Sequence, residues 1–82
     1  MNYKFSLYKK NFDRPDEYLT SILYNDVVKE INMGDFKLNV RPFFHYVGIE
    51  RLKDCIRVMI DEHKEEGNFY LLSNWYKVKL EK

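Results

Sequence analysis

The sequence predicts an α+β fold: a two-layer sandwich with two amphipathic helices packed on one face of a three- to five-stranded, mostly antiparallel sheet. Three observations predict it. Residues 3–9 and 36–41 alternate apolar and polar side chains, the period of a half-buried strand. Residues 14–33 and 49–66 place apolar side chains at helical spacing. The tail, residues 68–81, is rich in aromatic and β-branched residues and alternates again.

The elements follow in order. Tyr3, Phe5 and Leu7 fall on one side of the first strand, with Lys4, Ser6 and Tyr8 on the other. Asp13 is placed to cap a helix, Pro15 fits its first turn, and Asp16 and Glu17 suit its positive end. That helix is expected over 14–33. Leu19, Leu23, Tyr24, Val27, Val28 and Ile31 form its apolar face, and Gly34 is its stop. Tyr18 and Ile22 fall on the polar side and have no place in this pattern. Phe36, Leu38 and Val40 then alternate with Lys37, Asn39 and Arg41 as a second strand.

Pro42 cannot donate to a ladder, so it marks an edge, a bulge or a turn before an extended Phe43–Val47. One long bent strand and a tight hairpin both fit. The second helix is expected over 49–66, with Ile49, Leu52, Cys55, Ile56, Met59, Ile60 and His63 on one face and Gly67 as its end. A turn at Ser73–Asn74 would put Phe69, Leu71, Tyr76, Val78 and Leu80 on one face of a hairpin; a single long strand is the alternative. The order is β-α-β-(β)-α-β. It becomes the ferredoxin-like βαββαβ arrangement if Pro42 turns the chain.

Eighty-two residues make one α+β domain, 1–82. Hydrophobic residues are 45% and charged residues 33%, a globular and not a disordered balance. The N-terminus has no apolar signal-peptide core, and no apolar run approaches the roughly 20 residues that span a bilayer. One cysteine, Cys55, forms no internal bridge, so a reducing, cytoplasmic location is expected. Ala and Gln are absent while Lys and Asn are abundant. Folding gives no reason to omit two good helix formers. AT-rich coding does, and it is common in phages and mobile elements.

The formal net charge is +1, and its distribution is the informative part. Segments 1–15, 36–48 and 67–82 carry +3, +2 and +2; segments 16–35 and 49–66 carry −4 and −2. On the expected elements, strands sum to +7 and helices to −6. The sheet face away from the helices would carry Lys4, Tyr8, Lys37, Arg41, Trp75, Lys77 and Lys79, and His45 is placed with them. Cations with interleaved rings are what a single-stranded nucleic-acid platform needs. However, Arg41–Val47 lacks the glycines of the RNA-recognition strand signature. Lysines on strands also serve simply to protect edges.

Catalytic and metal chemistry find little purchase. Gly34, Gly48 and Gly67 belong to no phosphate-cradling loop, and HExxH, GxSxG and paired-cysteine motifs are absent. Cys55, Met59 and His63 stand at i, i+4 and i+8, a span of about 12 Å along one helix and too long for one ion. No catalytic residue, metal or cofactor is expected. The expected function is a small non-enzymatic binding protein, a phage or mobile-element inhibitor of the anti-defence type. It would dock on a host nucleic-acid-processing protein through its charge-segregated aromatic surface. The alternative is a single-stranded nucleic-acid-binding module using the basic sheet face. A homodimer closed by that face is a further option.

Overall fold

A computed structural model describes residues 1–81. It contains β1 (Asn2–Lys9), β2 (Glu17–Asn25), β3 (Glu30–Asn32), α1 (Pro42–Asp61), β4 (Glu66–Leu71) and β5 (Asn74–Leu80). The strands form one antiparallel sheet in the order β3-β2-β1-β5-β4. The single helix links the two edges.

Register explains the core. Phe5 pairs with Ile22 and Leu80, and Leu7 with Thr20 and Val78, so these side chains share one face. Gly67, Phe69 and Leu71 join that face through Val78, Tyr76 and Asn74. The helix covers it with Leu52, Ile56 and Met59, which recur at helical spacing. Phe5, Leu7, Ile22, Leu52, Ile56 and Val78 are fully buried at the centre. At Gly48 the helix comes so close to Leu38 and Leu71 that an added Cβ would lie 2.8 Å from each side chain. Pro42 occupies the first turn after an extended Arg41, where its fixed φ suits a helix start.

The first strand and the C-terminal hairpin follow expectation, including the face chosen by Phe69, Leu71, Tyr76, Val78 and Leu80. The turn itself is Leu72–Ser73, with both φ positive (47° and 68°), and not Ser73–Asn74. The two turns differ by two in pairing sum, so every side chain keeps its face.

The helix expected over 14–33 does not form. Thr20, Ile22 and Tyr24 turn inward against Leu7, Phe5 and Tyr3, while Leu23, Val27 and Val28 are exposed. Aromatic and β-branched residues in Tyr18–Tyr24 suit a pleated surface, and pairing to the central strand decides the outcome. Asn25 Oδ1 accepts the Val27 and Val28 N–H groups and turns the chain into β3. The strand expected over 36–41 is a loop, and Phe43–Val47 belongs to α1. One helix therefore replaces two, and neither the two-helix sandwich nor the ferredoxin-like arrangement is present.

The helix stops before Gly67, by backbone bonding. Lys64 N–H donates to Met59 O (2.8 Å) and His63 N–H to Ile60 O (3.3 Å), a Schellman arrangement. His63 holds the left-handed position that glycine prefers, with φ 54°. An L side chain costs roughly 1 kcal/mol there. His63→Gly is expected to raise the urea unfolding free energy by about 0.5–1 kcal/mol with an unchanged m-value. A neutral or destabilising result contradicts this reading of the helix end.

Candidate functional site

Among the described residues no layer covers the sheet face opposite α1. Strand alternation puts Lys4, Ser6 and Tyr8 of β1, Trp75, Lys77 and Lys79 of β5, and Glu66, Asn68 and Tyr70 of β4 on that face. A register shift at Leu7/Tyr8 sets Tyr8 opposite Tyr18 of β2, and their rings meet edge-on at 5.7 Å. Tyr70 and Trp75 stand 5.3 Å apart. Phe12, 94% exposed on the loop after β1, lines a shallow cleft of about 250 Å³ with Lys10, Asn68 and Trp75. Five rings therefore gather toward one end of the open face.

The expected site residues divide into two groups. Lys4, Tyr8, Trp75, Lys77 and Lys79 lie together on this face. Lys37, Arg41 and His45 do not, because the segment that was to carry them into the sheet is a loop and a helix start. Lys37 and His45 line a small cleft of their own with Asn39, Val40 and Pro42. Tyr18, Tyr70, Phe12, Lys10 and Asn68 are the members that sequence reasoning missed. Tyr70 was legible as the outward neighbour of Phe69 and Leu71. Tyr18 was hidden by the helix assigned over it.

One lysine of the face, Lys77, is held in an ion pair. Lys77 Nζ lies 3.0 Å from Asp16 Oδ2 and 5.0 Å above the Tyr8 ring. That hydrogen bond holds the Asp16 carboxyl below the usual carboxylate range. Lys79 stands opposite Glu66. Ser6, buried at the middle of the face, donates its hydroxyl to Glu81.

The expected separation of +7 on strands from −6 on helices is overturned. Glu50, Asp54 and Asp61 balance Arg51, Lys53 and Arg57, so α1 is neutral. The strands sum to +1: Lys4, Lys9, Lys77 and Lys79 on the central pair against Glu17, Glu30 and Glu66 on the outer strands.

Two titratable groups elsewhere have structural roles. His45 Nδ1 accepts the Leu38 N–H at 3.0 Å and ties the loop to the first turns of α1. Burial, and then the charge of Lys37, push the His45 pKa down. Burial pushes the Cys55 thiol up to about 11, so it is not a thiolate at neutral pH. Cys55 and Met59 pack against Gly67, while His63 lies beyond the helix end. Among the described residues no cluster of three or more His, Cys, Asp or Glu could hold a metal ion. Nor is any helix among them long and apolar enough to cross a membrane. No family model, no curated protein and no solved structure matches the chain.

The His45 bond sets a pH dependence. A folded pKa below the unfolded value of about 6.5 means that the unfolded chain takes up the proton first. This contribution is complete above pH 6.5. It is lost as pH falls from 6.5 through the lowered folded value. His45→Ala is expected to remove that slope and to cost about 1 kcal/mol at pH 7.5. Urea titrations between pH 4.5 and 7.5 check both. An unchanged slope in the variant assigns the effect to another group.

Proposed function

We propose that this chain is a small non-enzymatic binding protein that docks on a protein partner through the aromatic end of its open sheet face. One observation carries the reading: Phe12, Tyr8, Tyr18, Tyr70 and Trp75 converge on that face, where Lys77 is paired with Asp16 and Lys79 stands opposite Glu66. Clustered rings beside an ion-paired lysine suit a desolvated protein interface, where Trp and Tyr dominate binding energy. A phosphate-tracking surface needs unmatched cations. The partner class we propose is a host nucleic-acid-processing protein held in a stoichiometric, inhibitory complex. What supports that class is composition: small size, no Ala, no Gln and abundant Lys and Asn, as AT-rich phage and mobile-element genes encode.

Two measurements test the reading. Titration against labelled single-stranded DNA and RNA at low salt is expected to give flat traces. Binding that weakens steeply with added salt would replace protein docking by nucleic-acid binding. Affinity capture from host lysate is expected to retain a specific partner with the wild-type chain. Trp75→Ala should weaken that complex by roughly 30-fold, about 2 kcal/mol. A partner held equally well by Trp75→Ala and Tyr70→Ala variants places the interface elsewhere.

A further inference from the structure

The two edges of the sheet are unlike each other. β3 is three residues long, a short edge that offers little to pair with. β4 is twice that length and reads Glu-Gly-Asn-Phe-Tyr-Leu. It has no lysine, no proline and no bulge in its register, and its single charge is its first residue. Monomeric proteins usually guard such an edge with one of these devices.

The main-chain pattern of this edge follows from the hairpin. A two-residue turn at Leu72–Ser73 makes Leu71 and Asn74 a hydrogen-bonded pair. Alternation then directs the main-chain groups of Leu71, Phe69 and Gly67 to β5. The Leu80 N–H bond to Glu65 O, 2.8 Å, fits the same phase. The N–H and C=O groups of Glu66, Asn68 and Tyr70 therefore point away from the sheet. Among the described residues no loop, cap or side-chain hydrogen bond meets them there. Beside the edge lies a groove of about 600 Å³, with Arg51, Asp54, Cys55 and Val58 on its helix wall. An incoming strand has room on the helix side.

We propose that the occupant of this edge is β4 of a second copy of the chain, antiparallel to the first about a twofold axis at Asn68. The arrangement joins two five-stranded sheets into one. Centred on Asn68, this register pairs all three outward residues and sets no like charges opposite each other, which favours a second copy as the occupant. Glu66 meets Tyr70 of the second copy, Asn68 meets Asn68, and Tyr70 meets Glu66, giving about six main-chain hydrogen bonds. A slip of two residues either way loses one of these pairs.

The side chains agree with the register. The one charge on the strand, Glu66, meets a phenol and not its own copy, so no like charges face each other. The Asn68 amide is both donor and acceptor and complements itself across the axis. Gly67 falls opposite Phe69 of the second copy, an aromatic beside a glycine. The edge shares Asn68 and Tyr70 with the open face, so the proposal is tested by oligomeric state and not by capture of another protein. The dimer sets the open faces of two copies side by side on one continuous surface.

Analytical ultracentrifugation of the full chain tests the proposal. The wild-type chain is expected to sediment as a dimer. Asn68→Lys and Asn68→Asp each set like charges opposite one another at the axis. Each should raise the dissociation constant at least about tenfold, and a one-to-one mixture should restore dimers. Asn68 is exposed, so urea midpoints and circular dichroism of the separate variants should match those of wild type at the monomeric level. If an Asn68 variant fails to fold, Tyr70→Pro gives the second route: it removes an outward N–H, together with the ring beside Trp75, and should also yield a monomer.

A wild-type monomer at about 1 mM overturns the proposal. So does a dimer that both charge variants leave intact, or variants that fail to rescue each other. A monomeric wild type overturns a second copy as occupant whether or not it captures another protein.

Discussion

β1 and β5 lie side by side at the centre of the sheet, although nearly the whole chain separates them. Ser6 and Glu81, 75 positions apart, are joined by a hydrogen bond, and Leu7 and Val78 are both fully buried. Every other element is placed by this pair. β2 and β3 extend it on one flank, and β4 extends it on the other. The helix must then cross the sheet to reach β4 from β3, and so it covers one face only. Non-local pairing of this kind carries a loop-closure cost before its contacts form. The burial of Phe5, Leu7 and Val78 under Leu52 and Ile56 is what offsets that cost.

The open face is the consequence. Among the described residues one helix is available to a five-stranded sheet, so the second face has no layer, and its side chains cover each other. Tyr8 shields Lys77, Lys77 bonds Asp16, and Glu81 takes the hydrogen of Ser6. The rings left over, Phe12, Tyr18, Tyr70 and Trp75, are those with no partner layer to bury them. The candidate site is thus a by-product of topology, and its exposed chemistry is aromatic.

The same constraint explains what the amino-acid order revealed and what it concealed. Alternation in Tyr3–Lys9 and in 68–80 was legible because each strand buries one face against α1. The core of α1 was legible because Leu52, Ile56 and Met59 keep strict helical spacing. Residues 14–33 misled because Leu19, Leu23, Val27 and Ile31 repeat every fourth position by chance of composition. The contrary signals were Ile22 and Tyr18, stranded on the wrong side of that wheel. Pro42 can break a ladder or open a helix, and spacing alone does not choose; the inward Gly48 and the His45–Leu38 bond show why the helix won. The five site residues on β1 and β5 followed from alternation. The three in 37–45 failed with the strand assigned to them. The apparent charge separation failed because the −4 segment is itself part of the sheet.

Native-state hydrogen exchange, resolved residue by residue, tests the central pair most directly. The amides of Phe5–Tyr8 and of Tyr76–Val78 should exchange only through global unfolding, together with those of Leu52–Met59. Residues 33–41 should exchange far faster. Helical protection running continuously through 14–33, or β2 amides that stay protected after those of β1 and β5 have exchanged, would contradict a fold built on the pairing of first and last strands.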